Sequence, residues 1–128
     1  MVAITHAHED HVGGLRAVLQ NFHPKQLWIG AAPESEEWNH IRAMAREFGV
    51  QVVPMQQGNG FGFGGARIEV LAPVTDYQAA ATPTNNDSLV MRVSFRKISF
   101  LLTGDMERPI EAELLANGSL MQAEVLKV

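Results

Sequence analysis

Apolar positions in the first half of this chain alternate between short runs and helical stripes; in the second half they give way to strands. Residues 2–5, VAIT, form a brief apolar run and predict a buried strand. Leu15, Val18, Leu19 and Phe22 recur at helical spacing and predict a helix over residues 12–22. Residues 27–30 predict the next strand. APESEEWNHIRAMAREFG then reads as a helix with Trp38, Ile41, Met44 or Ala45, and Phe48 as its apolar stripe. Pro33 and the acidic Glu34, Glu36 and Glu37 suit its first turn, where carboxylates meet the positive end of the helix dipole, and Gly49 stops it.

Residues 50–55 predict a strand, interrupted by Pro54. GNGFGFGG reads as a glycine-rich turn between short strands, with Phe61 and Phe63 packed inward. RIEVLAP is a strand, and residues 73–87 are a loop rich in Pro and Asn. SLVMRVSF and ISFLLTG predict a β-hairpin turning at Arg96 and Lys97. Residues 107–117 predict a helix, with Pro109 near its start and Gly118 after its end, and AEVLKV predicts a last strand. This order implies a mixed α/β fold in layers.

Composition narrows the picture. A chain of 128 residues holds at most one ordinary domain, and a hydrophobic content of 46% excludes disorder. No run approaches the roughly 18 to 20 apolar residues that span a bilayer, so a soluble domain without anchor or leader is expected. The absence of cysteine excludes disulfides, thiolate nucleophiles and thiolate metal ligands. A net charge of −4 argues against capture of a polyanion by a basic surface. If the substrate carries phosphate, something other than lysine and arginine must hold it.

The chemistry is concentrated in THAHEDHVGG, residues 5–14, where three of the five histidines fall within six positions. In extended backbone, side chains two apart point the same way, which pairs His6 with His8. The turn into the following helix redirects Asp10 and His11 to a neighbouring point, so two adjacent divalent ions can be held. Gly13 and Gly14 relieve crowding where the chain turns away beneath them. A polar surface loop is the plainer reading, but the cluster follows an apolar strand and precedes a helix, where α/β folds place their sites. A second landmark is Asp105, at the tip of the strand ISFLLTG. It reads either as a helix cap or as the bridging carboxylate that offsets repulsion between two cations.

HxHxDH after a short strand, with a distal TGD, resembles the metallo-β-lactamase superfamily. ITHAHEDHVGGL, NNDSLVMRVSFRKISFLLTGDME and AEVLKV together resemble the metal-dependent domain of the ComEC competence proteins, bacterial DNA-uptake channels. The resemblance implies a four-layer αββα sandwich, with residues 1–128 forming a single partial domain, incomplete at both ends. It implies that His6 and His8 serve one metal, that Asp10 and His11 serve the other, and that Asp105 bridges them. Asp10 is also the candidate catalytic carboxylate, working with a metal-activated water. Where many superfamily members carry a further histidine, this chain has Asn85 and Asn86, which are candidates to orient substrate or to support the site. The family pattern continues past VLKV into a segment that supplies another ligand.

The expected cofactors are two divalent ions, zinc or manganese, since imidazole suits the first and carboxylate the second. The expected reaction is phosphodiester hydrolysis of DNA, single-stranded by the family's role. The parent protein is expected in the bacterial cytoplasmic membrane, with this domain on its outer face. Hydrolysis of a thioester, a lactone or RNA on the same scaffold is the first alternative, and a non-catalytic, DNA-binding scaffold is the second. His23 and His40 lack partner spacing and read as structural or solvated, Trp28 and Trp38 as core or rim, and Arg92 as a solvated strand position.

Overall fold

A computed structural model describes residues 1–119 and 121–127; Val128, the end of the predicted last strand, lies outside them. In chain order the elements are β1 Val2–Ile4, α1 Glu9–Val12, α2 Leu15–Phe22, β2 Gln26–Ile29, α3 Glu36–Glu47, β3 Gln51–Pro54, β4 Gly60–Phe63 and β5 Ala66–Ala72. A 3-10 turn at Asn85–Asp87 follows, then β6 Val90–Phe95, β7 Ile98–Leu102, α4 Arg108–Ala116 and β8 Val125–Lys127. Among the described residues, β1, β2 and β3 make a parallel sheet, and β4 to β8 make a second sheet in sequence order. The second sheet is antiparallel except where β8 runs parallel to β7.

Side-chain alternation on the strands stacks these elements into four layers. Leu27 and Ile29 of β2 face α2 and α3, packing with Leu19, Trp38, Ile41 and Ala45. Trp28, between them, points the other way and meets Val70, Leu89 and Met91 across the two sheets. The far side of the larger sheet presents Val90 and Leu101 to Ile110 and Leu114 of α4. The order is helices, small sheet, large sheet, helix, the αββα arrangement.

The hairpin turns where the sequence places it, with Arg96 at φ +56. Elsewhere local detail departs from expectation. The helix over 12–22 is broken at Gly13 and Gly14, and only Leu15 and Leu19 of its stripe are buried; Phe22 is 77% exposed. The helix expected from Pro33 begins at Glu36 because the Ser35 hydroxyl accepts from the Trp38 amide at 3.3 Å and caps it. Residues 60–63 are a strand and not part of a turn, and Phe61 and Phe63 are exposed. They lie at the edge of the larger sheet, where Phe61 meets the rim of Trp28 edge-on at 5.8 Å. Trp28 and Trp38 are both core, whereas His23 and His40 are exposed.

Candidate metal centre

The carboxyl ends of β1 and β7 carry the site. β1 delivers Thr5 and then the extended stretch to His8, which stands before the first turn of α1 and is followed in it by Asp10 and His11. Thr103, Gly104 and Asp105 leave β7, and the N-cap of α4 is Glu107, so Asp105 is not that helix's cap. One donor atom each of His6, His11 and Asp105 lies within 4.8 Å of the others. His11 Nε2 is 3.3 Å from Asp105 Oδ2. His8 adjoins through His6, its Nδ1 lying 3.0 Å from His6 Nε2, and Asp10 adjoins through His11 at 3.6 Å, on the solvent side.

The His6 ring is fully buried. Burial first, then the neighbouring His11 and His8 rings, hold its pKa below the usual histidine value, while Asp105 and Asp10 pull the other way. The neutral ring that results is the form that ligates metals. The other nitrogens are also committed. Thr5 Oγ1 lies 3.2 Å from His6 Nδ1 and 2.9 Å from His11 Nδ1, and Ser88 Oγ lies 3.5 Å from His6 Nδ1. His8 Nε2 approaches the Pro83 carbonyl at 3.4 Å.

The donor set fits a divalent cation. Metal-bound imidazoles characteristically donate their second N–H to a fixed acceptor, as these rings can. Zinc–nitrogen bonds of about 2.0 to 2.1 Å put two tetrahedral ligands roughly 3.3 Å apart, close to the separations here.

Two expectations change character. The Asn85 and Asn86 amides donate to Glu107 Oε1 and Oε2 at 3.1 and 3.2 Å, and Asn86 Oδ1 accepts from the Glu107 amide, so both asparagines are engaged at the start of α4. Gly13 and Gly14 have ordinary right-handed backbone, and a Cβ on Gly14 would meet nothing within 4 Å. Beside the histidine cluster, the glycine held by close packing is Gly104. Its φ is +54, and an added Cβ would fall 2.8 Å from Thr5 Cβ and 2.9 Å from Ser88 Oγ.

Residues 1–125 match the family model described as the Beta-lactamase superfamily domain. The chain belongs to this superfamily, in its metallo-β-lactamase form. It is 32% identical over 127 residues to ComE operon protein 3 of Bacillus subtilis (strain 168), covering 98% of this chain and 16% of that protein. Over 128 residues it is 30% identical to the uncharacterized protein YcaI of Escherichia coli (strain K12), covering 99% of this chain and 14% of that one. The chain thus spans about a sixth or less of the length of these relatives. A solved structure, CmlA, a diiron β-hydroxylase from Streptomyces venezuelae, shares the fold with a TM-score of 0.55 at 16% identity, over 97% of this chain and 24% of that one. No described helix of this metallo-β-lactamase domain is long and apolar enough to cross a membrane.

The loop whose Pro83 carbonyl approaches His8 is braced by a buried carboxylate that sequence reading missed. Asp87 is fully buried and accepts from the Thr84 amide at 2.7 Å and from the Tyr77 hydroxyl at 2.9 Å. Burial, then the bond to Asp87 and its charge, push the Tyr77 hydroxyl up to about 12. Its raised pKa means that the bond's contribution is fully present below about pH 10, the unfolded value, and is lost as pH rises toward 12. Tyr77→Phe is expected to cost about 1 to 2 kcal/mol at pH 7 and to flatten the fall in stability over that window, read by urea denaturation at stepped pH. An unchanged midpoint would refute the brace.

Thr5 and Ser88 were also missed as site residues, although Thr5 sits beside the histidine motif. Arg92, expected as a solvated strand position, is instead half-buried and tied to Glu69, Ser99 and the Gln122 carbonyl.

Proposed function

We propose that this domain is a metal-dependent phosphodiesterase that cleaves DNA, within a larger DNA-uptake protein of the ComEC type. The observation that carries the reading is the meeting of His6, His11 and Asp105 within 4.8 Å, from strand tips about a hundred positions apart. His6 with His8, and Asp10 with His11, would each hold one divalent ion, zinc or manganese, with Asp105 between them. Bound there, such ions supply a water nucleophile at neutral pH and neutralise charge on a phosphoryl group. That chemistry suits a chain of net charge −4 without cysteine, since the cations and not the protein surface would meet the phosphate.

The chain's own groups have separable tasks in this proposal. Buried His6 stays neutral, and Thr5 and Ser88 hold the rings in place. Asp10, with its side chain 77% exposed beside His11, stands where it can take a proton from attacking water. The relation to ComE operon protein 3 supports the ComEC resemblance, and from that resemblance we take DNA as the substrate, the cytoplasmic membrane as the parent's place and its outer face as this domain's.

The test presents single-stranded DNA, RNA, a thioester and a lactone side by side to the longer parent protein that carries this domain, with zinc or manganese. Cleavage of DNA that requires metal and is lost in His8→Ala is the expected result. Turnover of RNA or of the small esters alone would assign another hydrolase. Absence of stoichiometric metal uptake in titration calorimetry would leave a scaffold.

A further inference from the structure

We infer that the Thr5 hydroxyl is a positioning group for two metal ligands at once, setting both His6 and His11 to present Nε2 to the proposed pair of adjacent ions. The inference rests on the metal site proposed above. A neutral imidazole carries a single N–H, and putting it on Nδ1 leaves the lone pair on Nε2. A threonine oxygen has two lone pairs and can accept from two such groups. Thr5 Oγ1 lies 3.2 Å from His6 Nδ1 and 2.9 Å from His11 Nδ1, so one atom is the shared acceptor for both.

Alternatives for these nitrogens are few. Among the described residues His11 Nδ1 has no other hydrogen-bond partner, and His6 Nδ1 has only Ser88 Oγ, at 3.5 Å. The two rings are also in contact, with centroids 4.2 Å apart, so a common acceptor fixes their relative tilt as well as their tautomers.

The hydroxyl is itself held from both sides. The Thr5 carbonyl accepts from the Leu89 amide at 2.8 Å, and the side chain is packed against Gly104 so closely that a Cβ there would come within 2.8 Å. A ligand-orienting group locked by packing is what a preorganised site requires. Because Gly104 immediately precedes Asp105, this contact also ties the orienting hydroxyl to the strand tip that brings the carboxylate.

Valine has the shape of threonine without the oxygen, and serine keeps the oxygen without the methyl. Thr5→Val, Thr5→Ser and the wild-type chain are compared in four measurements: metal-free thermal melting, zinc affinity by chelator competition, imidazole 15N shifts of the metal-free chain, and cobalt-loaded absorption. Cobalt-loaded absorption spectra report the coordination geometry. Thr5→Val is expected to fold, to lose about 10- to 100-fold in zinc affinity, and to alter the cobalt spectrum, with Thr5→Ser restoring both. The 15N shifts of His6 and His11 are expected to move together in Thr5→Val and to return in Thr5→Ser. Wild-type zinc affinity and cobalt spectrum in Thr5→Val would overturn the inference. If the wild-type chain takes up neither ion, the metal reading fails and the 15N shifts decide the hydroxyl's role. Joint movement of both rings then supports it, and movement of neither overturns it.

Discussion

Asp105→Asn is expected to weaken zinc binding by more than about 100-fold and to reduce metal-dependent DNA cleavage to background. Groups that merely orient metal ligands cost about 10- to 100-fold when removed, so loss of the one carboxylate in the converging trio must cost more. Asparagine keeps the shape and the backbone bond from the Asp105 amide to Ser88 Oγ at 3.2 Å, but it removes the negative charge that the two proposed cations would need between them. The fold should survive. The Asp105 side chain is 39% exposed, and its 3.3 Å approach to His11 lies near solvent, where such a contact contributes about 0 to 1 kcal/mol. Titration calorimetry and a urea melt of the same sample separate the two effects. Zinc affinity equal to wild type would remove Asp105 from the site.

Gly104→Ala is expected to destabilise the metal-free chain by about 2 to 5 kcal/mol. Two costs combine. Left-handed backbone at φ +54 costs alanine about 1 to 2 kcal/mol, and forcing a methyl into filled space costs about 1 to 3 more. The space is filled by Thr5 Cβ at 2.8 Å and by Ser88 Cβ at 3.0 Å, both on well-anchored backbone, so neither can swing aside as a flexible side chain would. Because those two residues hold His6 and His11, zinc affinity should fall with stability. Gly14→Ala is the control: the position has right-handed backbone and an added Cβ meets nothing, so its urea midpoint should not fall. A Gly104→Ala midpoint equal to wild type would show that the Thr5–Gly104–Ser88 contact yields.

Both variants act at a place that sequence could mark but not interpret. His6, His8, Asp10 and His11 were legible because local spacing and a strand-to-helix transition suffice to aim neighbouring side chains together. Asp105 was legible as a strand-tip carboxylate, with its choice between cap and ligand left open. Glu107 takes the cap, and the meeting of β1 with β7 brings Asp105 to His11.

The errors have a common origin. Phe61 and Phe63 were expected inside because aromatic residues favour burial, but burial on an edge strand depends on what covers that end of the sheet. The amides of Asn85 and Asn86, which sequence offered as candidates to orient substrate, also hold Glu107, twenty-two and twenty-one positions away, a contact that local spacing does not announce.

By itself, then, the amino-acid order determined the alternation of strands and helices, the hairpin at Arg96 and Lys97, and the inventory of candidate metal ligands. Each depends on side chains a few positions apart along one element. Tertiary structure alone decided that Thr5, Ser88 and Gly104 form the shelf beneath those groups, and that Asp87 braces it from within. Such contacts join residues up to a hundred positions apart, and their energies come from packing and hydrogen bonding across layers, which local periodicity does not encode.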